Sequence, residues 1–379
     1  MTHRAIVLGC GLVGTTMARE LAADDDFDVT VAEVNPQRLD AVASQRVTPR
    51  ICDLSDVGVV RDLVEPFDVV LGSLPSALGF QTLRAVVEAG VPYSDISFMP
   101  EDALALDALA RQKGAIAVVD CGVSPGLSNL VIGHAEATLD EVERATIYVG
   151  GLPRGRTLPF QYKAPFAPRD VIEEYTRPAR LIEHGQLVTR PALSEVELVD
   201  FPGIGTLEAF NTDGLRSLLK TTRIPNLREK TLRYPGHAEL MRAFRDAGLF
   251  SKELIDVGSA RVRPLDVTAQ LLFPRWTYLE GEEEFTVLRI RLEGAQSGRR
   301  VRQTYELFDE YHGPTATSSM ARTTAFPNVI VAKLLARGQI KGPGIFPPER
   351  LATNPGLFDH VLGELARRGV RLTSRVEPR

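Results

Sequence analysis

The sequence predicts an α/β chain, with a doubly wound parallel sheet in its first third and an inserted α+β domain carrying a mainly antiparallel sheet behind it. Three observations carry that expectation. From Arg4 to Val119 short aliphatic runs alternate with amphipathic segments, the rhythm of repeated βαβ units. From Arg144-Ala145-Thr146-Ile147-Tyr148-Val149 onward the strands lengthen and glycine and proline turns separate them. A strongly apolar helical stretch then returns at Phe326 to Arg337. At 379 residues the chain exceeds what one core usually supports, so two domains are expected. A net charge of −5 with interspersed signs leaves no basic stripe, which argues against a nucleic-acid or membrane-surface role. No apolar run approaches the ~20 residues a bilayer needs, and Met1 leads straight into the first strand without room for a signal peptide. A soluble, cytoplasmic protein is expected. The three cysteines, Cys10, Cys52 and Cys121, lack metal or disulfide spacing and should be reduced thiols.

The first element is Arg4 to Leu8, a strand that feeds Gly9-Cys10-Gly11-Leu12-Val13-Gly14. This G-x-G-x-x-G opens a helix from about Val13 to Ala23, and the strand Val29 to Ala32 delivers Glu33 about twenty residues later. Gly9 permits the tight turn, Gly11 admits a pyrophosphate to the backbone, and Gly14 lets helix and strand pack closely. Phosphates would meet the helix start at Leu12 and Val13. Glu33, with Val34 beside it, should hold the adenosine ribose hydroxyls and repel a 2′-phosphate, which favours NAD over NADP; the nearest basic residue after it is Arg38. The first domain therefore reads as a Rossmann-type dinucleotide domain.

Further along, Ser55 is the expected N-cap of a helix beginning near Asp56, and Asp68 to Leu71 is a buried strand. Helices follow at about 80–89 and 101–113, ending at Gly90 and Gly114, with strands at Tyr93-Ser94-Asp95 and 115–119. In an open parallel sheet the ligand lies beyond the strands' carboxyl ends. Asp53 should therefore sit near the adenine, Ser73-Leu74-Pro75 along the ribose, and Asp95, Cys121, Gly122 and Val123 toward the nicotinamide. In the second domain 286–292 and 302–308 should pair as antiparallel strands turned at Gly294 to Gly298, with helices near 170–175, 214–221, 237–247 and 264–272 on one face. The charged run Glu280 to Glu284 reads as a solvated loop, Gly342 to Pro348 as a proline-rich connector, and 357–368 as a last helix before a short tail. The expected boundaries are 1–125 for the dinucleotide domain, 126–319 for the α+β domain, and 320–379 for C-terminal helices returning to the first.

The loop Asp120-Cys121-Gly122-Val123-Ser124-Pro125-Gly126-Leu127-Ser128-Asn129, with Tyr148-Val149-Gly150-Gly151-Leu152-Pro153, resembles the saccharopine dehydrogenase family across nearly the whole chain. Leu193 to Glu197, Thr206 to Leu215 and Lys230-Thr231-Leu232-Arg233-Tyr234-Pro235-Gly236-His237-Ala238-Glu239 extend the match. Within the family the ordered set is most similar to the lysine 6-dehydrogenases, although those carry a Thr-Ser-Gly-Gly type segment where this chain has Thr212-Asp213-Gly214-Leu215. The resemblance implies NAD-dependent oxidation of an amino acid's side-chain amine, L-lysine to 2-aminoadipate 6-semialdehyde plus ammonia, in a homodimer. A saccharopine or carboxynorspermidine type reductase is the near alternative, which a further cleft-facing cation such as Lys163 or Lys220 would favour. A catalytically inactive NAD-binding sensor is the alternative from another class.

Such chemistry needs a receptor for the substrate's carboxylate and a proton acceptor. Arg233 is the expected receptor, while His237 and Asp95 are the rival bases. Cys121, at a strand end, is placed with the catalytic set without a covalent role. Asn211, Thr212 and Glu208 should line the substrate side, with Phe160 and Tyr162 walling its methylene chain. No metal site is indicated.

Overall fold

The computed structural model describes residues 2–44, 46–279 and 281–379. Met1, at the expected entry into the first strand, and Glu280, in the expected solvated loop, lie outside them. The chain divides into two compact units.

The first unit comprises residues 1–139, 216–222 and 321–372. Its sheet is built from β1 (His3–Leu8), β2 (Phe27–Glu33), β3 (Val47–Ile51), β4 (Val69–Gly72), β5 (Tyr93–Asp95) and β6 (Ile116–Val118), with a seventh strand, Gly344–Phe346, at the edge beyond β6. All neighbours are parallel, and from the other edge the order runs β3, β2, β1, β4, β5, β6. The reversal between β1 and β4 is the switch point where such a sheet opens a ligand crevice. Helices bury both faces, so Ile6, Val7, Leu8, Val70 and Leu71 have no exposed surface. The helix Ser76–Ala89 ends at Gly90, whose φ of 76° only glycine adopts cheaply. The helix Val57–Val64 is capped by Asp56, whose carboxylate accepts from Gly58 N and Val59 N. Ser55, the expected cap, instead donates to Asp53.

The proline-rich connector contains the seventh strand. Its Ile345 N donates to the Asp107 carboxylate at 2.9 Å, and tertiary pairing with β6 outweighs the local turn signals. The apolar C-terminal helix is longer than expected, Ser319–Ala336, with Pro327 inside it. The Ser94 hydroxyl donates to the Asn328 carbonyl at 3.3 Å, tying this helix to β5. Of the helix expected at 214–221 only Leu218–Thr221 forms, and it belongs to this unit.

The second unit comprises residues 140–215, 223–320 and 373–379. Its nine-stranded sheet is mainly antiparallel, as expected. The long strand β7 (Glu141–Pro153) lies between Leu227–Arg233, parallel to it, and Glu284–Gln296, antiparallel to it. The hairpin of Glu284–Gln296 with Arg299–Glu310 runs longer than predicted and turns at Ser297-Gly298, with φ of 50° and 73°, the conformation a two-residue turn requires. The helices Pro168–Thr176, His237–Asp246 and Pro264–Trp276 bury Val171, Tyr175, Met241, Leu272 and Trp276 in one core with Phe210.

Three expectations are corrected here. The helix Leu127–Thr138, assigned to the α+β domain by the 125/126 boundary, belongs to the first unit. The tail is the strand Leu372–Pro378, which pairs into the second unit's sheet rather than remaining with the returning helices. Glu284 is not solvated: it starts a strand with 1% of its surface exposed, and its carboxylate accepts from Met320 N.

Candidate functional site

The glycine turn leaves β1 as the sequence requires. A Cβ on Gly9, at φ 98°, would come 2.6 Å from the Ser73 carbonyl oxygen, and one on Gly14 would overlap the Gly9 carbonyl. Gly11 differs, because nothing lies within 4 Å of where its Cβ would be. It is the N-cap of the helix Leu12–Ala22 with no side-chain cap, so the first amides are left to an anion. This fits a dinucleotide's pyrophosphate. Glu33, 7% exposed, accepts from Cys10 N at 2.9 Å through one oxygen and from Val34 N and Asn35 N at 3.0 Å through the other. The Arg38 guanidinium stands 3.8 Å away on the solvent side. Val34 follows this carboxylate and Ile51 is in register with Glu33; both are largely exposed apolar side chains, as is Leu12 at the helix start. Such a surface suits an adenine face. Asp53 is exposed and held in a local turn by Ser55 N and Oγ, which lower its pKa. Ser73 N continues the ladder from Leu8, Leu74 packs on the core, and Pro75 caps the next helix.

Asp95 ends β5 with no exposed surface. Its Oδ1 accepts from Tyr93 Oη at 3.0 Å and Ser97 Oγ at 2.8 Å, while its Oδ2 has no partner among the described residues. Burial pushes its pKa up to about 6; the Ser97 and Tyr93 hydrogen bonds oppose that rise. A Cβ on Gly72 would collide with both Tyr93 Oη and this carboxylate, so the glycine is required. Cys121 is buried, donates to the Pro327 carbonyl oxygen at 3.8 Å, and has its thiol pushed up to about 12 by burial. A thiol buried and held protonated in this way is a poor nucleophile. Gly122 N bonds back to Pro125 O, folding Gly122 and buried Val123 into a tight turn ahead of the helix Leu127–Thr138.

In the second unit, alternation along Leu227–Arg233 sends Glu229, Thr231 and Arg233 to one face of the strand. Arg233 is 2% exposed, and four of its five N–H groups are engaged. It donates to Glu174 at 2.6 Å, to the Leu232 carbonyl at 2.9 Å, and to Tyr175 and Tyr162 hydroxyls at 3.4 Å. The expected carboxylate receptor is thus already engaged within the second unit's core. His237 is engaged likewise: Nδ1 donates to the Phe160 carbonyl at 3.1 Å, so Nε2 accepts from Tyr175 Oη at 2.8 Å. Burial first, and Arg233 second, lower its pKa to about 3, far from the near-neutral value a shuttling base needs. Glu208 caps the helix His237–Asp246 by accepting from Gly236 N and Ala238 N. Phe160 and Tyr162 pack edge-on against Trp276 in the same core. Thr212 donates to Glu229 and sits 2.9 Å from the Thr231 hydroxyl; Asn211 donates to Ser194 at 3.2 Å. Lys163 is paired to Glu282 and Lys220 to Asp102.

Three features were missed from the sequence. Glu229 is 4% exposed, and its pKa is pushed up to about 8 by burial, against the Thr212 bond and aided by Glu174 and Asp213. Its period-two spacing with Arg233 was the available signal. Tyr175, which joins Arg233 to His237, carries none. Arg216 pairs with Asp120 at 3.0 Å across 96 positions, both side chains nearly sealed, and no local pattern announces that.

A glycine turn of this geometry, an acid closing β2 and a second unit built on a mainly antiparallel sheet define a dinucleotide-linked oxidoreductase class. Comparison with known proteins gives it a family. Residues 5–118 match the saccharopine dehydrogenase NADP binding domain and residues 122–370 the saccharopine dehydrogenase C-terminal domain. The chain belongs to the saccharopine dehydrogenase family, oxidoreductases acting on carbon–nitrogen bonds. It is 23% identical to saccharopine dehydrogenase (NADP(+), L-glutamate-forming) of Saccharomyces cerevisiae, over 96% of this chain and 97% of that one. It is 22% identical to the mitochondrial alpha-aminoadipic semialdehyde synthase of Mus musculus, over 91% of this chain but only 45% of that longer protein. The apo yeast saccharopine dehydrogenase structure shares the fold, with a TM-score of 0.79 at 20% identity, covering 99% of this chain and all of that one. A nicotinamide dinucleotide cofactor follows at family level, and the family model names NADP where the sequence reading favoured NAD. No helix among the described residues is long and apolar enough to cross a membrane, and they hold no metal-ligand cluster.

Proposed function

We propose that this protein oxidises the side-chain amine of an amino acid with a nicotinamide dinucleotide, lysine being the leading substrate and a lysine-derived secondary amine the second. The observation that carries the reading is the open backbone at Gly11 ahead of an uncapped helix, with Glu33 closing β2 beside it. Gly9, Gly11, Leu12, Val13 and Gly14 would hold the pyrophosphate and Glu33 the adenosine ribose. The cofactor, when bound, supplies the hydride acceptor.

The substrate must arrive with a neutral amine, because its nitrogen lone pair forms the new C=N bond as the carbon gives up hydride. The product is an iminium cation, which water attacks; loss of ammonia, or of the second amine, leaves the aldehyde. The chain's contribution is orientation and field. Asp95, ionised above about pH 6 at the end of β5, supplies a fixed negative charge that favours developing positive charge nearby. NAD is the proposed cofactor, since the Glu33 carboxylate is held in place by three backbone amides and opposes a 2′-phosphate, whereas the exposed Arg38 is the group through which NADP would enter.

Lysine leads because Lys163 and Lys220, two instances of the further cation that a second substrate carboxylate would need, are each paired to a carboxylate of the chain. The saccharopine reading is supported by full-length similarity to the yeast enzyme. A panel of NAD and NADP against L-lysine and saccharopine, read as absorbance of the reduced cofactor at alkaline pH, tests both. Turnover of saccharopine but not lysine overturns the first reading, and no turnover of any amine overturns the enzyme assignment.

A further inference from the structure

We propose that Arg216 is the receptor for the substrate's α-carboxylate, held ready by Asp120 at the carboxyl end of the parallel sheet. This rests on the amino-acid oxidation proposed above and names the group that recognises the amino-acid end.

Four observations converge on this arginine. Its place is the first: Asp120 follows β6 at the edge where an open parallel sheet presents ligands, two residues after Val118, and Arg216 belongs to the same compact unit although it comes from the later half of the chain. The second is burial, since the two side chains are 4% and 3% exposed, and a sealed guanidinium so deep demands use of its donors. The third is conformation. Both residues lie in the left-handed region, Asp120 at φ 54° and Arg216 at φ 53°, where non-glycine residues are uncommon and cost free energy. Two such residues meeting in one ion pair mark a geometry held for a purpose, because strain of this kind gathers at ligand clamps.

The fourth observation is unused capacity. Nε donates to Asp120 Oδ1 at 3.0 Å, Nη1 donates to the Met99 carbonyl, and the Phe98 ring lies 5.3 Å from the guanidinium carbon. The remaining N–H groups on Nη1 and Nη2 have no partner among the described residues. Nη2 is also absent from the sealed, unpartnered atoms, so it keeps an opening to solvent. These leftover donors form the end of the guanidinium fork, which matches the two oxygens of a carboxylate. Arg233, the arginine favoured from the sequence, has less to offer, since Glu174, Tyr162, Tyr175 and a carbonyl take four of its five N–H groups. The cost of bringing a second carboxylate to a paired arginine is offset by geometry, because Asp120 takes the Nε side and leaves the far end unopposed.

The test uses the full-length enzyme, L-lysine, and cadaverine, which keeps both amines and lacks the carboxylate. If saccharopine proves the better substrate, the pair becomes saccharopine and its analogue without the lysine-side carboxylate. The wild type should prefer the amino acid by about 100-fold or more in kcat/KM, as expected of a site that pairs a substrate group. Arg216→Gln should bring that preference to within about tenfold, through a raised KM for the amino acid and a much smaller loss in kcat/KM toward cadaverine. Arg216→Lys keeps the charge and loses the fork, so it should restore part of the preference; it also decides the matter if the glutamine variant does not fold. NADH fluorescence titration checks that the dinucleotide site is intact in each variant. Equal loss toward both substrates, or an unchanged preference in the lysine variant, overturns the assignment. A wild type that turns over no amine overturns the proposed reaction instead; competition of 6-aminohexanoate with lysine for the NADH-bound protein, weakened in Arg216→Lys, would still uphold the receptor, and competition unaffected by the variant would remove it.

Discussion

Replacing Glu229 with glutamine should stabilise this protein in alkali and leave it unchanged in mild acid. Glu229 is buried beside Thr212, with Glu174 and Asp213 adding negative charge, and its carboxyl is raised from an ordinary 4.5 to about 8. A raised folded-state value means that the folded protein holds this proton more tightly than the unfolded chain does. The stabilisation is complete below pH 4.5, erodes as pH rises, and is gone above about 8. The rise spans about 3.5 pH units. At about 1.4 kcal/mol per unit it corresponds to about 5 kcal/mol between the two ends. Glutamine has the same shape, still accepts from Thr212, and cannot ionise. Urea denaturation of both proteins at pH 5 and pH 9 measures the effect: the variant should match the wild type within about 1 kcal/mol at pH 5 and exceed it by about 3 to 5 kcal/mol at pH 9. Parallel losses in the two proteins between those pH values would refute the reasoning, because the ionisation would then not reside on Glu229.

Other outcomes follow from the same structure. Glu33→Ser should raise the NADP to NAD ratio of kcat/KM by about tenfold or more by removing the carboxylate that opposes a 2′-phosphate; an unchanged ratio would place the ribose contact elsewhere. Gly72→Ala should lower stability by about 3 kcal/mol or prevent folding, since its methyl group would enter the Tyr93–Asp95 pair; thermal denaturation within a degree of wild type would contradict this. Cys121→Ala should leave kcat within about twofold, whereas a large loss with intact cofactor binding would return the thiol to the chemistry. Because His237 is held neutral to about pH 3, stability should fall as pH drops below about 6.5, where the unfolded imidazole takes a proton; His237→Asn should flatten that part of the curve in denaturation series from pH 7 to 4.

The dinucleotide half of the protein was legible because its signals are local. A glycine turn, the helix it opens and the acid closing the next strand lie within thirty residues, and each element reports itself by spacing or residue type. Helices end at Gly90 and Gly114 as expected for the same reason: both stand in the left-handed conformation that glycine alone adopts cheaply. Less was legible where distant segments decided the outcome. Gly342 to Pro348 carries turn residues, yet β6 recruits three of them as a strand. Arg233 and His237 have the residue types of a binding site, and the helix Pro168–Thr176 supplies the Glu174 and Tyr175 that consume them.

By itself, then, the sequence determined the order of elements, the doubly wound class, the glycine cradle and the family. Those depend on backbone geometry and side-chain periodicity, which act over a few residues. Only the tertiary structure decided which charged groups are spent and which remain available. Arg233 and Arg216 look alike in one dimension, but a carboxylate and two hydroxyls close around the first while the second keeps part of its fork open beside Asp120. Burial makes that difference matter, because away from water each donor must find its partner within the fold or in a ligand.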